Sequence, residues 1–198
     1  METGKSPTRR LRIFLRDFRM VEATVSLADG QALSSYFANR KAYVNLRGAH
    51  WAGATEDVAH AVLRVVQVLW AAAPEGDVPL TNASLANRGR EVEIQLDGGL
   101  LVRGALIMSE QQRLSDYLET AGQFVPMQHA QLLRSGRPPK KVNVNLGDIV
   151  LNQDAVQAVW EVEAQQRPTA AADVPTTEVP MADDASDDLL DEVGGVDS

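Results

Sequence analysis

The chain contains no cysteine. A disulfide framework and thiolate metal sites are therefore excluded, and a reducing compartment is permitted. Aromatic residues are also scarce, 5% of 198 positions, so any core must be assembled mainly from Val, Leu, Ile and Ala. No apolar run is long enough to cross a membrane. The richest, Ala61 to Ala73 ("AVLRVVQVLWAAA"), is short and carries Arg64 and Gln67. The basic N-terminus has no apolar stretch of the kind a signal peptide needs, so the expected location is the cytoplasm with no membrane insertion. The "GKS" at Gly4 lacks the earlier glycine and strand of a phosphate-binding loop. His50, His60 and His129 show no metal-binding spacing. No cofactor and no metal is expected.

What the chain does have is segregated charge. Residues 1–166 hold 18 Lys/Arg and 18 Asp/Glu, whereas residues 167–198 set Arg167 against nine acids. The whole net charge of −8 therefore belongs to the C-terminal tail. Within the balanced body, basic residues collect in an N-terminal arm with Lys5, Arg9 and Arg10, and in "RSGRPPKK" with Arg134, Arg137, Lys140 and Lys141.

It also has an internal repeat. At an offset of 81, residues 9–51 match residues 90–132 without a gap. There are ten identities in these 43 positions, where about three would arise from composition, and self-similarity at one fixed offset marks a repeat. Val25/Leu106, Leu27/Met108, Tyr43/Phe124 and Leu46/Met127 keep apolar against apolar. Beyond this window "VQVLW" (Val66 to Trp70) matches "VQAVW" (Val156 to Trp160) at an offset of 90, which places nine extra residues in the second copy near "RSGRPPKKV". The expected organisation is a first repeat at 8–73, a linker at 74–88, a second repeat at 89–166 and a disordered acidic tail at 167–198.

Each copy reads mainly as strand. "LRIFL" and "VEIQL" alternate apolar and polar residues. Asp97-Gly98-Gly99 supplies a hairpin turn, and Gly104 within "LLVRGALIM" suggests close backbone approach. Leu33, Ser34, Tyr36 recur as Leu114, Ser115, Tyr117 in "QALSSYFA" and "QRLSDYLE". Their spacing predicts one helical turn with an apolar face, the serines serving as caps or turn residues. "KVNVNLGDIVLNQDAVQAVWEV" is one long strand or two, with a bend near Gly147 and a turn at Asn152. The Val-rich "AHAVLRVVQVLWAA" is likewise strand. The fold class is mainly β: two tandem, strongly bent small barrels or sheets, or one sheet shared by both copies, each copy with one short helical turn, the motif forming the corner that closes each barrel.

"EVEIQLDGGLLVRGALI" (Glu91 to Ile107), with Leu96, Gly98, Val102, Gly104 and Leu106, resembles the first half of an Sm-like domain, the small barrel of the Sm, LSm and Hfq proteins. "RLSDYL" followed by "FVPM" is similar to bacterial Sm-like proteins of unassigned function. The resemblance implies a small β-barrel fold. In the first copy Phe18 and Ala23 replace the glycines, and "SEQQRLSDYLE" and "LGDIVLNQD" stand where the family's RNA-binding signatures would fall.

No catalytic constellation emerges. Ser115, Asp116 and His129 are hydrolase residue types without a nucleophile elbow, and the first copy has Ser35 and Gly48 in place of Asp116 and His129. Asp29 recurs as Glu110, an acid after a strand in both copies, which reads first as a solvated turn. The tail's "DDLLDEV" (Asp187, Asp188, Leu189, Leu190, Asp191, Glu192, Val193) places apolar anchors in an acidic frame, as a groove-binding peptide would. The expected function is a non-enzymatic protein-interaction module, an adaptor or regulatory subunit whose partner is another protein. The alternative is RNA or other nucleic-acid binding through Arg9, Arg10, Arg134, Arg137, Lys140 and Lys141, with a homo-oligomer admitted.

Overall fold

The computed structural model describes residues 7–40, 42–82, 89–109, 111–135 and 140–162. The tail motif at 187–193, together with Lys5, Glu110 and Arg137, lies outside the described residues. No described helix is long and apolar enough to cross a membrane.

The first repeat supplies β1 (Thr8–Leu15), β2 (Met20–Ser26), α1 (Leu33–Ala38), β3 (Tyr43–Trp51), β4 (Val58–Arg64) and β5 (Val68–Ala72). The second supplies β6 (Gly89–Leu96), β7 (Leu100–Ile107), α2 (Leu114–Thr120), β8 (Phe124–Ser135), β9 (Lys140–Asn152) and β10 (Val156–Glu161). All ten strands form one antiparallel sheet in the order β10-β6-β7-β8-β9-β5-β1-β2-β3-β4. Each repeat therefore contributes its strands in the order fifth, first, second, third, fourth.

Period-2 alternation decides which side chains face inward. On β1 these are Leu11, Ile13 and Leu15, and on β6 Val92, Ile94 and Leu96, every one buried. Val21, Ala23 and Val25 on β2 correspond to Val102, Gly104 and Leu106 on β7. Gly104 is a close-approach site: a Cβ there would meet Met127 Cγ at 2.7 Å and the Gln128 carbonyl at 2.9 Å. Gly98 and Gly99 both hold φ of +78° in the β6–β7 turn, where an L side chain would be strained.

Three expectations are corrected. First, of the two arrangements open to the repeats the shared sheet is the one found, and neither repeat closes into a barrel. Closure would need the fifth strand of a repeat to reach its own fourth. Instead the second edge of β5 is paired to β9 of the other repeat, through Trp70↔Leu151, Ala71↔Val150 and Ala72↔Ile149.

Second, the insertion in the second repeat is seven residues, not nine. Val44 pairs with Leu63, whereas Val125, 81 residues on, pairs with Leu151, 88 residues on from Leu63. Ile13 pairs with Ala71 and Ile94 with Val159, again 81 and 88 apart. Trp160 is thus the counterpart of Ala72, and the match of "VQVLW" to "VQAVW" is a coincidence two residues out of register. A shift of two keeps every side chain on its face.

Third, the serines cap nothing. The residues preceding the helices are Ala32 and Arg113, and neither makes a side-chain cap. The first free N–H groups of α1, those of Leu33 and Ser34, donate instead to the Pro79 and Leu80 carbonyls of the linker at 2.8 and 3.1 Å. The segment after the first repeat thereby secures that repeat's helix.

Two buried clusters line the sheet. The first is centred on Leu11, Ile13, Tyr36, Phe37 and Leu46, the second on Ile94, Leu96, Leu100, Leu106 and Met127. At the β5·β9 junction they exchange side chains. Val150 and Phe124 of the second repeat lie in the first cluster, with Phe124 stacked on Phe37 at 4.8 Å between centroids. Leu69, Trp70 and Ala72 of the first repeat lie in the second cluster, where Trp70 stacks on Phe14 at 4.2 Å.

His129 and Gly48 occupy equivalent positions, 81 apart, with φ of +51° and +54°. Both sit where the third-strand ladders shift register. His129 bears the cost of a left-handed backbone, while its N–H donates to Asp148 Oδ1 at 3.0 Å. His129→Gly keeps that bond and should raise stability by up to about 1 kcal/mol; Gly48→Val should cost about 1–2 kcal/mol through backbone strain. Urea unfolding midpoints of the two variants test this.

Candidate functional site

The corner motifs of the two repeats meet. Ser34, Ser35 and Ala38 of α1 and Gln112, Tyr117, Thr120 and Ala121 around α2 line one depression of about 400 Å³, floored by Met108 and Phe124. Nothing in either motif alone announces this, because the contact depends on how β8 lies beside α1. Tyr36, on the same helix α1 but not in the lining, is buried and carries Arg40 over its ring at 4.9 Å. Leu33 is fully buried, while Leu114 and Tyr117 are half-buried against the second cluster. Burial pushes the Tyr117 phenol up to about 12. Burial also raises Tyr36, against the opposing Arg40 charge.

The hydrolase residue types do not assemble. Ser115 Oγ donates to Asp116 Oδ1 at 3.1 Å, and His129 faces Asp148 with Nδ1 3.9 Å from the carboxylate. Asp29 is exposed and lies 3.5 Å from Arg9. Among the described residues no three His, Asp or Glu side chains cluster as a metal ion would require.

The basic residues divide into two groups. Arg9 is held by Asp77 at 3.0 Å as well as by Asp29, and Arg10 pairs with Glu22, so the arm's described cations are already matched. Arg134 and Lys141 face one another across β8 and β9. Together with Arg103, Leu101 and Glu93 they line a second depression, of about 510 Å³. Lys140, opposite Ser135, continues the hairpin. Among the described residues Arg134 and Lys141 have no acidic partner. Arg103, which sequence reading did not single out, is buried at Nε and lies 3.7 Å from Glu93, beyond hydrogen-bond range.

One pattern escaped the sequence reading altogether. Arg10, Arg12, Arg16 and Glu22 have Glu91, Glu93, Asp97 and Arg103 as their counterparts at the offset of 81, so the charge is reversed at all four positions. In the first repeat Arg10 and Arg12 clamp Glu22, with Arg12 Nε at 2.9 Å, and hold its carboxyl below the usual range. In the second, Glu91 and Glu93 flank Arg103. Arg16 and Asp97, themselves counterparts, form an ion pair between the repeats.

Comparison with known protein families, characterised proteins and solved structures finds no match.

Tyr117 gives the corner a titratable marker. Its phenol is raised in the folded state, so the folded form favours the proton. That contribution is complete below pH 10 and is lost as the pH rises toward about 12. Unfolding free energy should therefore fall over this window, and Tyr117→Phe should flatten the fall, as read by denaturant titration at successive pH values.

Proposed function

We propose that this chain is a non-enzymatic protein-interaction module, an adaptor or regulatory subunit, with its acidic tail as one docking element. The observation that carries this reading is the placement of exposed apolar side chains. Val58 and Val62 lie on β4, Tyr43 lies beside it on β3, and Trp160 lies on β10; these are the two ends of the sheet, and all four side chains are exposed. Apolar surface gathered at unpaired strand edges suits a protein partner, which can add strands and cover side chains at once. The tail sequence adds Leu189, Leu190 and Val193 in an acidic frame, suited to a groove with a basic rim. The paired state of Arg9 and Arg10 favours this reading over nucleic acid. The strand-turn-strand at Glu91 to Ile107, with its resemblance to Sm-like domains, is compatible with it. Truncation after Gln166 should leave the body folded by circular dichroism and abolish recovery of a partner that the full-length chain captures. Survival of every partner would remove the tail's docking role.

A second reading, nucleic-acid binding, is favoured by one observation. Arg103, Arg134 and Lys141 share a depression in which two cations lack acidic partners among the described residues. On this reading Arg134→Ala with Lys141→Ala should weaken binding to a single-stranded RNA by about tenfold and reduce the salt slope by about two. A fluorescence anisotropy titration at several salt concentrations decides it: absence of a salt-dependent signal from the unaltered chain removes the reading.

A further inference from the structure

We propose that residues 178–181, the sequence Glu-Val-Pro-Met, dock on the apolar face of α2 in the second repeat, as residues 77–80, Asp-Val-Pro-Leu, dock on α1 in the first. The occupant is a named segment of this chain, and it is distinct from residues 187–193, which take no part in the contact.

The first repeat shows what such a segment does. After β5 ends at Ala72 the chain returns to α1. Val78 is buried in the cluster that holds Leu33, Tyr36 and Phe37, and Leu80 packs against that cluster. The Pro79 and Leu80 carbonyls accept from the Leu33 and Ser34 N–H groups. Asp77 pairs with Arg9 at 3.0 Å. Each of the four residues thus has a task. The acid meets a cation, the valine enters the core, the proline fixes its own backbone angle and needs no N–H partner, and the last residue adds apolar cover.

The second repeat presents the same site without that cover among the described residues. Leu114 and Tyr117 are half-buried, whereas their counterparts Leu33 and Tyr36 are 0% and 2% exposed. No described carbonyl accepts from the Leu114 or Ser115 N–H. Arg90, the identical counterpart of Arg9, stands at the approach to α2, where it donates to the Gln112 carbonyl at 3.0 Å. Arg9 holds two acids, Asp29 and Asp77. Arg90 holds Glu161 at 3.0 Å, and Glu178 would take the place of the second.

The covering sequence is not at its own repeat position. At the offset of 88 that relates β10 to β5, residues 77–80 would fall on Gln165, Gln166, Arg167 and Pro168, which include no acid and no valine. It stands further on. An acid-Val-Pro run occurs three times in the chain, beginning at Asp77, Asp173 and Glu178. The fourth residue separates the last two. Leu80 corresponds to Thr176 in one and to Met181 in the other, and methionine can fill an apolar contact as leucine does, whereas threonine brings a hydroxyl. Reach is ample. Four residues carry the first repeat from Ala72 to Asp77, and seventeen lie between Trp160, the counterpart of Ala72, and Glu178. Because the segment is tethered, the contact is intramolecular, and a short peptide of modest affinity can hold the site.

The test uses the full chain and hydrogen–deuterium exchange resolved by peptide. Val179→Asp with Met181→Asp should raise exchange across residues 114–120 by about tenfold, because a local contact is lost while the fold stays. Exchange in α1, β1 and β6 should not change. Val174→Asp, in the other tail copy of the run, should leave α2 as it was. The Val179→Asp and Met181→Asp chain should still recover any partner that residues 187–193 capture, so the two roles of the tail are read separately. Exchange in α2 that ignores Val179→Asp with Met181→Asp, that responds to Val174→Asp instead, or that rises equally in α1 and the strands would overturn the proposal.

Discussion

Three backbone pairs between β5 and β9 hold the two repeats in one sheet. The pleat of those strands then sends successive side chains to different cores. Val150 points into the first cluster while Ile149 and Leu151 point into the second. Ala71 and Trp70 divide in the same way. Neither cluster is complete without residues of the other repeat, so the repeats are not two independent domains joined by a tether. Removing Phe124 or Val150 would open a cavity in the core of the other repeat, at the cost of several kcal/mol that large-to-small core changes carry. The failure of each repeat to close into a barrel follows from this junction, because it occupies the edges that closure would use.

Much of the strand content was legible in the sequence. The alternation in "LRIFL" and "VEIQL" set the facing of β1 and β6, and the Gly98-Gly99 turn and the crowding at Gly104 were readable from glycine alone. The repeat was legible through identities that are mostly packing residues: Ile13/Ile94, Leu15/Leu96, Val21/Val102 and Val44/Val125 all occupy equivalent buried places. The true register of the last two strands was not. "VQVLW" and "VQAVW" look alike, but facing depends only on parity, so an alignment two residues out satisfies the same inward pattern. The corner helices were legible for Leu33 and Tyr36, whereas their capping was not, since the groups that satisfy α1 are carbonyls of a linker some 45 residues away.

The site-level reading fared unevenly for a related reason. Sequence shows which side chains exist, and pairing across a sheet decides which are spent. Arg9 and Arg10 read as available cations until Asp77 and Glu22 are found beside them. Arg103 drew no notice in "LLVRGALI", yet strand register brings it into the depression lined by Arg134 and Lys141. His129 read as a hydrolase residue type without a supporting motif, and the structure gives it the same left-handed backbone as Gly48. A histidine in that conformation leaves no trace in composition or spacing.

The reversal of charge between repeats ties these observations together. Duplication alone would have left like residues at equivalent positions. At the junction, where positions 16 and 97 meet, it would have set two cations or two acids against each other. Opposite signs convert that contact into an attraction. A half-exposed ion pair of this kind contributes little to stability, on the order of 0–1 kcal/mol. Its effect is on choice: a first repeat meeting another first repeat would oppose Arg16 to Arg16, while unlike repeats oppose arginine to aspartate. The opposite signs at Arg12 and Glu22, and at Glu93 and Arg103, are paired within each repeat, at 2.9 Å in the first and 3.7 Å in the second. The junction within the chain thereby favours unlike repeats over like ones.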